Sequence, residues 1–361
     1  MIGKIASNFA VDGKFIAYEV YGNGHINETY ALTYKSNCGM ERYILQKVNK
    51  YVFPNMEKLM NNITGICEFL KQKYQSIGQD ATKKCITIVY TLDGKSYYTD
   101  LNGDYWRMMR LIEDTESYEI VVDNVAFEKA GHAFGEFISL LKDYPVDTLY
   151  EVIPNFHNTV SRFEAFASSV KANKAKRKKT CKKEIQFVYD HKHLAGVIVN
   201  LLNNGDIPTR VTHNDTKINN VLMDRDTGDA VCVVDLDTIM PGSLLYDFGD
   251  GIRSGCNTGY EDDKNLDNVD FDMDKFESFA KGFITGANGD ITKCEKDHMA
   301  IASIIITFEC GIRFLTDYLN GDVYFKTSYP EHNLVRCRTQ FKLVARMLER
   351  YDEMRAIVSK Y

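Results

Sequence analysis

His213-Asn214-Asp215-Thr216-Lys217-Ile218-Asn219-Asn220-Val221-Leu222, followed by Val233-Val234-Asp235-Leu236-Asp237, is the most informative part of this chain. Between the two polar runs, Val221-Leu222-Met223 and Cys232-Val233-Val234 have strand character. Asp226-Thr227-Gly228-Asp229 between them has the composition of a turn. A hairpin built this way carries one polar run at its entrance and the other at its exit, so it can bring Asp215, Asn220 and Asp235 together. That grouping suits phosphoryl transfer. One carboxylate can orient and deprotonate an acceptor hydroxyl, while an amide oxygen and a second carboxylate hold Mg²⁺ on the phosphates.

Upstream of the hairpin the chain changes character. Phe15 to Tyr21, Thr29 to Tyr34 and Arg42 to Val48 read as strands, separated by Gly22-Asn23-Gly24 and Ser36-Asn37-Cys38-Gly39. Pro54-Asn55 opens a helix whose apolar residues Met56, Leu59, Met60, Ile63, Ile66, Cys67 and Leu70 form one stripe. Cys85 to Thr91 and Ser96 to Asp100 follow as a predicted hairpin through Asp93-Gly94, and Trp106 to Ile112 as a final strand. From about Asn124 helical patterns dominate. Phe127, Ala130, Phe134, Phe137 and Leu141 make one stripe, Val197 to Leu202 another, and Met299 to Leu319 a third that stops at Asn320-Gly321. The expected fold class is α+β. An antiparallel sheet of five or six strands with one helix occupies residues 1–112, the nucleotide-binding lobe, and a mainly helical lobe with the catalytic loop occupies 113–361.

Composition narrows the function. With 361 residues, 44% hydrophobic and 26% charged, the chain suits two ordinary globular lobes and excludes wholesale disorder. A net charge of −6 disfavours a duplex-DNA binder held by phosphate contacts. The eight basic residues in Lys171 to Lys183 have no aromatic among them and read as a solvated loop or helix end. The run Asp270-x-Asp272-x-Asp274 is not an EF-hand, because Lys275 and Lys281 stand where glycine and glutamate are needed. Nine scattered cysteines without a C-x-x-C pair read as small core residues in a reducing compartment, not as a zinc site. The N-terminal residues lack a secretory pattern, and a charge-interrupted Met299 segment reads as a buried helix. Cytoplasmic localisation, no membrane and no nucleic-acid partner are therefore expected, with a monomer as the working state.

The five-residue spacing of Asp215 and Asn220 matches the kinase catalytic loop H-R-D-L-x-x-x-N, and Asp235 stands where the metal-binding aspartate after the hairpin belongs. The chain resembles the aminoglycoside phosphotransferase and choline kinase superfamily, which shares the two-lobed protein-kinase-like fold. Asp235-Leu236-Asp237 replaces D-F-G, and Met240-Pro241-Gly242 leads to Tyr246-Asp247-Phe248-Gly249-Asp250, with no A-P-E. A small-molecule alcohol is thus favoured over a protein as acceptor. Several runs resemble the N-acetylhexosamine 1-kinases: Gly22 to Tyr30, Tyr43 to Lys47, Phe156-His157-Asn158-Thr159 with Arg162, and Val234 to Gly242. Those enzymes place the γ-phosphate of ATP on the anomeric hydroxyl of N-acetylglucosamine or N-acetylgalactosamine.

The resemblance implies ATP and Mg²⁺ as cofactors, Asp215 as base, and Asn220 and Asp235 as metal ligands. It places phosphate contacts at Gly22 and Gly24, although Asn27 stands where a third glycine would be. The adenine is expected along Leu111-Ile112-Glu113, and the sugar at His25, Asp215, Arg313 and Tyr324. The phosphate-binding lysine of the third strand falls out of step: Gln46 has its place and Lys47 is one further on. Either a bulge re-aims Lys47, with Glu57 as its candidate partner, or the phosphate charge is met another way. Arg313 lies in an apolar helix, so it needs a partner, and Glu309 at i−4 is available. Choline, an aminoglycoside (for which the acidic run Glu261 to Asp274 speaks) or another sugar are competing acceptors. A non-catalytic nucleotide-binding protein is the competing reading from another class.

Overall fold

The computed structural model describes residues 1–22 and 26–361. The chain forms two compact units that are not consecutive in sequence. The first comprises Met1–Glu116, Asp143–Pro154 and Leu222–Met240, and the second Ser117–Lys142, Asn155–Val221 and Pro241–Tyr361.

The first unit is built on a six-stranded antiparallel sheet. A short helix α1 (Ile2–Ala6) precedes three long strands, β1 (Lys14–Val20), β2 (Glu28–Ser36) and β3 (Gly39–Val48). Helix α2 (Met56–Ser76) begins where the Asn55 side chain caps the Lys58 N–H, and buries Leu59, Met60, Ile63 and Ile66. After α3 (Ala81–Lys84) come β4 (Ile88–Val89), β5 (Tyr98–Thr99), β6 (Tyr105–Arg110) and β7 (Thr115–Glu116). One face of the sheet packs Leu32, Tyr34, Tyr43, Leu45, Trp106 and Met108 against Ile2, Ile5 and Phe9.

The predicted hairpin over residues 85–100 is not formed. Asp93-Gly94 does make its turn, with Gly94 at φ +78° and its N–H bonded to the Thr91 carbonyl. The flanking strands shrink to two residues each and do not pair with one another. Both pair with β6, β4 opposite Met108 and Met109 and β5 opposite Tyr105 and Trp106. A longer, buried strand takes both short partners. The hairpin of strands Val221–Asp224 and Ala230–Val233 does form, and β7 adds to its edge.

The second unit is helical: α4 (Asn124–Leu140), α5 (Thr159–Ala172), α6 (Lys182–Asp190), α7 (Val197–Asn204), α8 (Leu244–Gly255), α9 (Met273–Gly286), α10 (Lys293–Asn320), α11 (His332–Glu349) and α12 (Tyr351–Lys360). Helix α10 is long and apolar enough to cross a membrane, but 78% of its apolar window is buried inside the protein. It stops at Gly321, left-handed at φ +99°. Helices α4 and α9 touch backbone to backbone. A Cβ on Gly135 would sit 2.1 Å from the Phe283 carbonyl oxygen, one on Gly282 2.0 Å from that of Glu128, and one on Gly286 2.2 Å from that of His132. Gly135→Ala must therefore push these helices away from each other. It should destabilise the fold by roughly 3 kcal/mol or more, measured as a lowered midpoint in urea.

Candidate active site

The loop that carries Asp215 is held from several sides by its own unit. Asn214 is left-handed at φ 63°, a conformation that persists only where neighbours impose it. The buried Asp247 carboxylate, in the first turn of α8, accepts the N–H of His213 at 2.9 Å and of Asn214 at 2.7 Å. The Thr216 hydroxyl donates to the Asp247 carbonyl. His157 reaches the same loop: one ring nitrogen bonds Glu309 of α10 at 2.8 Å and the other lies 3.4 Å from the Asn214 carbonyl. Phe134 and Phe137 of α4 pack edge-on against the His213 ring.

On this support Asp215 presents a part-exposed carboxylate. One oxygen is 2.6 Å from the Lys217 ammonium, and the other accepts the Asn220 amide N–H at 3.1 Å. Burial works against the charge, but the Lys217 cation and its hydrogen bond, with His213, hold the carboxyl below the ordinary aspartate range. It is ionised at neutral pH and can accept a hydroxyl proton. Because Asn220 spends its amide nitrogen on the Asp215 side chain and carbonyl, its amide oxygen is the atom left for a hard cation. Among the described residues, no three His, Cys, Asp or Glu side chains gather as a ready metal cage.

Arg313 and Tyr324 line one cavity of about 190 Å³, together with Arg162, Thr316, Asn320 and Phe325. The Arg313–Glu309 ion pair, one of the two readings of Arg313, is not formed. Glu309 is taken by His157 and by the Thr159 hydroxyl at 2.5 Å, and the Arg313 guanidinium lies over the Phe156 and Phe325 rings, 5.1 and 5.6 Å from their centres. Burial and the neighbouring Arg313 cation lower the Arg162 pKa from its usual value. Asp317 also borders the cavity, yet its oxygens are spent on the N–H groups of Val323, Tyr324 and Phe325 and on Asn333. Four of the seven acids from Glu261 to Asp274 are likewise engaged: Glu261 by Arg253 and Arg336, Asp262 by His332, Asp270 by Arg346, and Asp272 as the cap of α9.

In the first unit, Asp235 follows the hairpin and is left-handed at φ 59°. Gly22 is left-handed at φ 71°, between β1 and β2. Gly24 and His25 lie outside the described residues. Leu111 donates its N–H to the Arg42 carbonyl, the Ile112 carbonyl accepts the Thr115 hydroxyl, and Glu113 is exposed. No bulge re-aims Lys47, since β3 pairs in unbroken register from Tyr43 to Val48. Its ammonium is 2.8 Å from Asp104 and 3.8 Å from Glu28, while Glu57 is exposed on the first turn of α2.

Residues 86–278, more than half of the chain, match the phosphotransferase enzyme family. The chain belongs to that family. Solved structures share the fold of this phosphotransferase. One is an aminoglycoside phosphotransferase from Alicyclobacillus acidocaldarius, with TM-score 0.60 and 11% identity over 99% of this chain and 95% of its own. Choline kinase from Cryptosporidium parvum has TM-score 0.59 and 12% identity over 100% and 98%. A spectinomycin phosphotransferase, solved with ADP and spectinomycin, has TM-score 0.56 and 13% identity over 94% of each chain. At such identities the likeness is one of fold.

The phosphotransferase positions its loop with residues that the spacing argument did not single out, above all Asp247, His157 and Glu309. A signal existed in the apolar Leu244 to Phe248 run, where a lone carboxylate has to find donors. Burial pushes the Asp247 carboxyl up to about 6, although His213 and the two N–H groups pull the other way. A folded-state value above the unfolded one means that the native protein binds this proton first. Stability relative to Asp247→Asn should therefore rise as pH falls through about 6 toward 4, by up to roughly 3 kcal/mol. Urea midpoints of the two proteins across that range would show it, since acid losses elsewhere cancel in the comparison.

Proposed function

We propose that this phosphotransferase transfers the γ-phosphoryl group of ATP to the anomeric hydroxyl of an N-acetylhexosamine, N-acetylglucosamine or N-acetylgalactosamine. The observation that favours this acceptor is the pair Arg162 and Arg313 at the cavity shared with Tyr324. Two guanidinium groups repel a cation, and the one carboxylate at the cavity wall is already engaged. Choline and aminoglycosides are cations. An N-acetylated sugar is neutral, and its carbonyl and hydroxyl oxygens accept from arginine and tyrosine. A cavity of about 190 Å³ is also smaller than the ~300–1,000 Å³ of drug-sized ligand pockets, which suits one sugar ring better than several.

In this reading Asp215 accepts the anomeric proton as the sugar oxygen bonds the γ-phosphorus and the bond from that phosphorus to the β–γ bridging oxygen breaks, releasing ADP. The anomeric hydroxyl is more acidic than the other sugar hydroxyls, so an aspartate with a lowered pKa suffices as its base. Asn220 and Asp235, one just before the hairpin and the other just after it, are the proposed ligands of Mg²⁺, which would neutralise phosphate charge. Gly22 and Gly24 are assigned to the phosphates, Leu111, Ile112 and Glu113 to the adenine, and His25 to the sugar, while Lys47, in unbroken register and paired with Asp104, is set aside.

Incubation with either N-acetylhexosamine and Mg·ATP should give the sugar 1-phosphate. Phosphorus NMR would identify it by coupling of the phosphate to the anomeric proton. Arg313→Ala should raise KM for the sugar more than KM for ATP. A 6-phosphate product, or turnover confined to choline or an aminoglycoside, would leave the family membership standing and remove the sugar assignment.

A further inference from the structure

Three places depart from the kinase pattern: Asn27 for the third glycine of the first loop, Gln46 for the third-strand lysine, and Asp237 for the glycine of D-F-G. The structure brings these three side chains to one point in the first unit. Gln46 and Arg107 are directly opposed on β3 and β6, on the sheet face away from α1. The Arg107 guanidinium, 3% exposed, donates to the Gln46 amide oxygen at 2.9 and 2.7 Å and forms an ion pair with Asp237. Asp237 is itself buried, and its second oxygen accepts the Asn27 amide N–H at 2.8 Å. Asn27 in turn accepts the N–H of Asn49, at the end of β3, at 3.0 Å.

We infer that Arg107 is a positioning residue for nucleotide binding, the anchor through which Asp237 fixes both the Asp235 turn and the end of the first loop. The inference rests on the proposed roles of that loop and of Asp235. A buried guanidinium fork holds one planar geometry, which a flexible lysine ammonium cannot do. Asp235 needs such support. It is left-handed without being glycine, and Asp237 lies two residues on, in the turn Leu236–Thr238. Asn62 of α2 ties down the following Ile239 carbonyl at 2.9 Å. A turn bound at its centre by Arg107 and at its end by Asn62 keeps the Asp235 carboxylate, the proposed metal ligand, in place before any nucleotide arrives. The three departures are then one substitution of means: the cation comes from β6 instead of β3, and the two missing glycines supply its connections.

The test is calorimetric titration of Mg·ATP, and of ATP in EDTA, into the wild type and variants, alongside KM for both substrates. Arg107→Met and Asp237→Asn should each weaken Mg·ATP binding by about tenfold or more, and metal-free ATP by less. The double variant, which leaves no uncompensated buried charge, should be no weaker than the worse single one. It also keeps the test open if the singles fail to fold. Arg107→Lys should restore part of the affinity. Asn27→Ala should weaken Mg·ATP less than Arg107→Met does, because it takes one donor from Asp237 and leaves the Arg107 ion pair in place, and KM for the acceptor should stay unchanged throughout. Wild-type affinity for Mg·ATP in a folded double variant would overturn the inference and leave the site reading intact. A wild-type protein that takes up no Mg·ATP would remove the site reading itself, and this inference with it.

Discussion

Asp215→Asn should lower kcat by at least ~10² while leaving the affinity for Mg·ATP nearly unchanged. The substitution keeps the size of the side chain and its partners on one oxygen, so the loop should hold its shape on Asp247 and His157. What disappears is the charge proposed to accept the hydroxyl proton. An asparagine cannot take that proton, and the Lys217 ammonium would lose the carboxylate 2.6 Å away. Initial-rate kinetics with saturating ATP would measure the loss, and calorimetry would show the retained nucleotide affinity. A variant that kept most of its kcat would remove Asp215 as the base.

Asp235→Ala should abolish both turnover and the Mg²⁺-dependent share of nucleotide binding. Mg²⁺ at such sites is held by one or two protein oxygens and by the phosphates, so losing one carboxylate removes much of what the protein contributes. Titration with ATP in Mg²⁺ and then in EDTA separates the two terms. The variant should bind ATP with one affinity in both, whereas the wild type should bind more tightly with the metal. Metal-enhanced binding in the variant equal to that of the wild type would count against Asp235 as a ligand.

The features of this molecule that are legible in the sequence are those set by neighbours along the chain. The three long strands, helix α2 and the hairpin after Asn220 announce themselves by alternation, by apolar stripes and by turn residues. Asp215 and Asn220 do so by their spacing, and the Asn220 amide indeed reaches the Asp215 carboxylate. What stays hidden is made of long-range contacts. Arg107 and Asp237 are 130 residues apart, His157 and Glu309 152, and no local pattern connects them. The pairing of the strands near Asp93-Gly94 escapes a local reading for the same reason. The turn is local, but the partner that β4 and β5 choose is β6. Arg313 shows how a sound physical demand can have several answers. A charge in an apolar helix does need company, and here two aromatic rings provide it rather than the carboxylate one turn away.

The glycine contact of α4 and α9 bears on the timing of motion as well as on stability. Where main chain rests on main chain there are no side-chain rotamers to exchange, so the pair has little of the slack that lets packed helices slide in small steps. It opens as a whole or not at all. Helix α4 is also the element that sets Phe134 and Phe137 against His213. The proposed catalytic aspartate, two residues further on, thus hangs from a helix that is packed main chain to main chain on its neighbour. Movement that accompanies substrate entry and product release should then be found in other segments, with the proposed proton acceptor held still while they move.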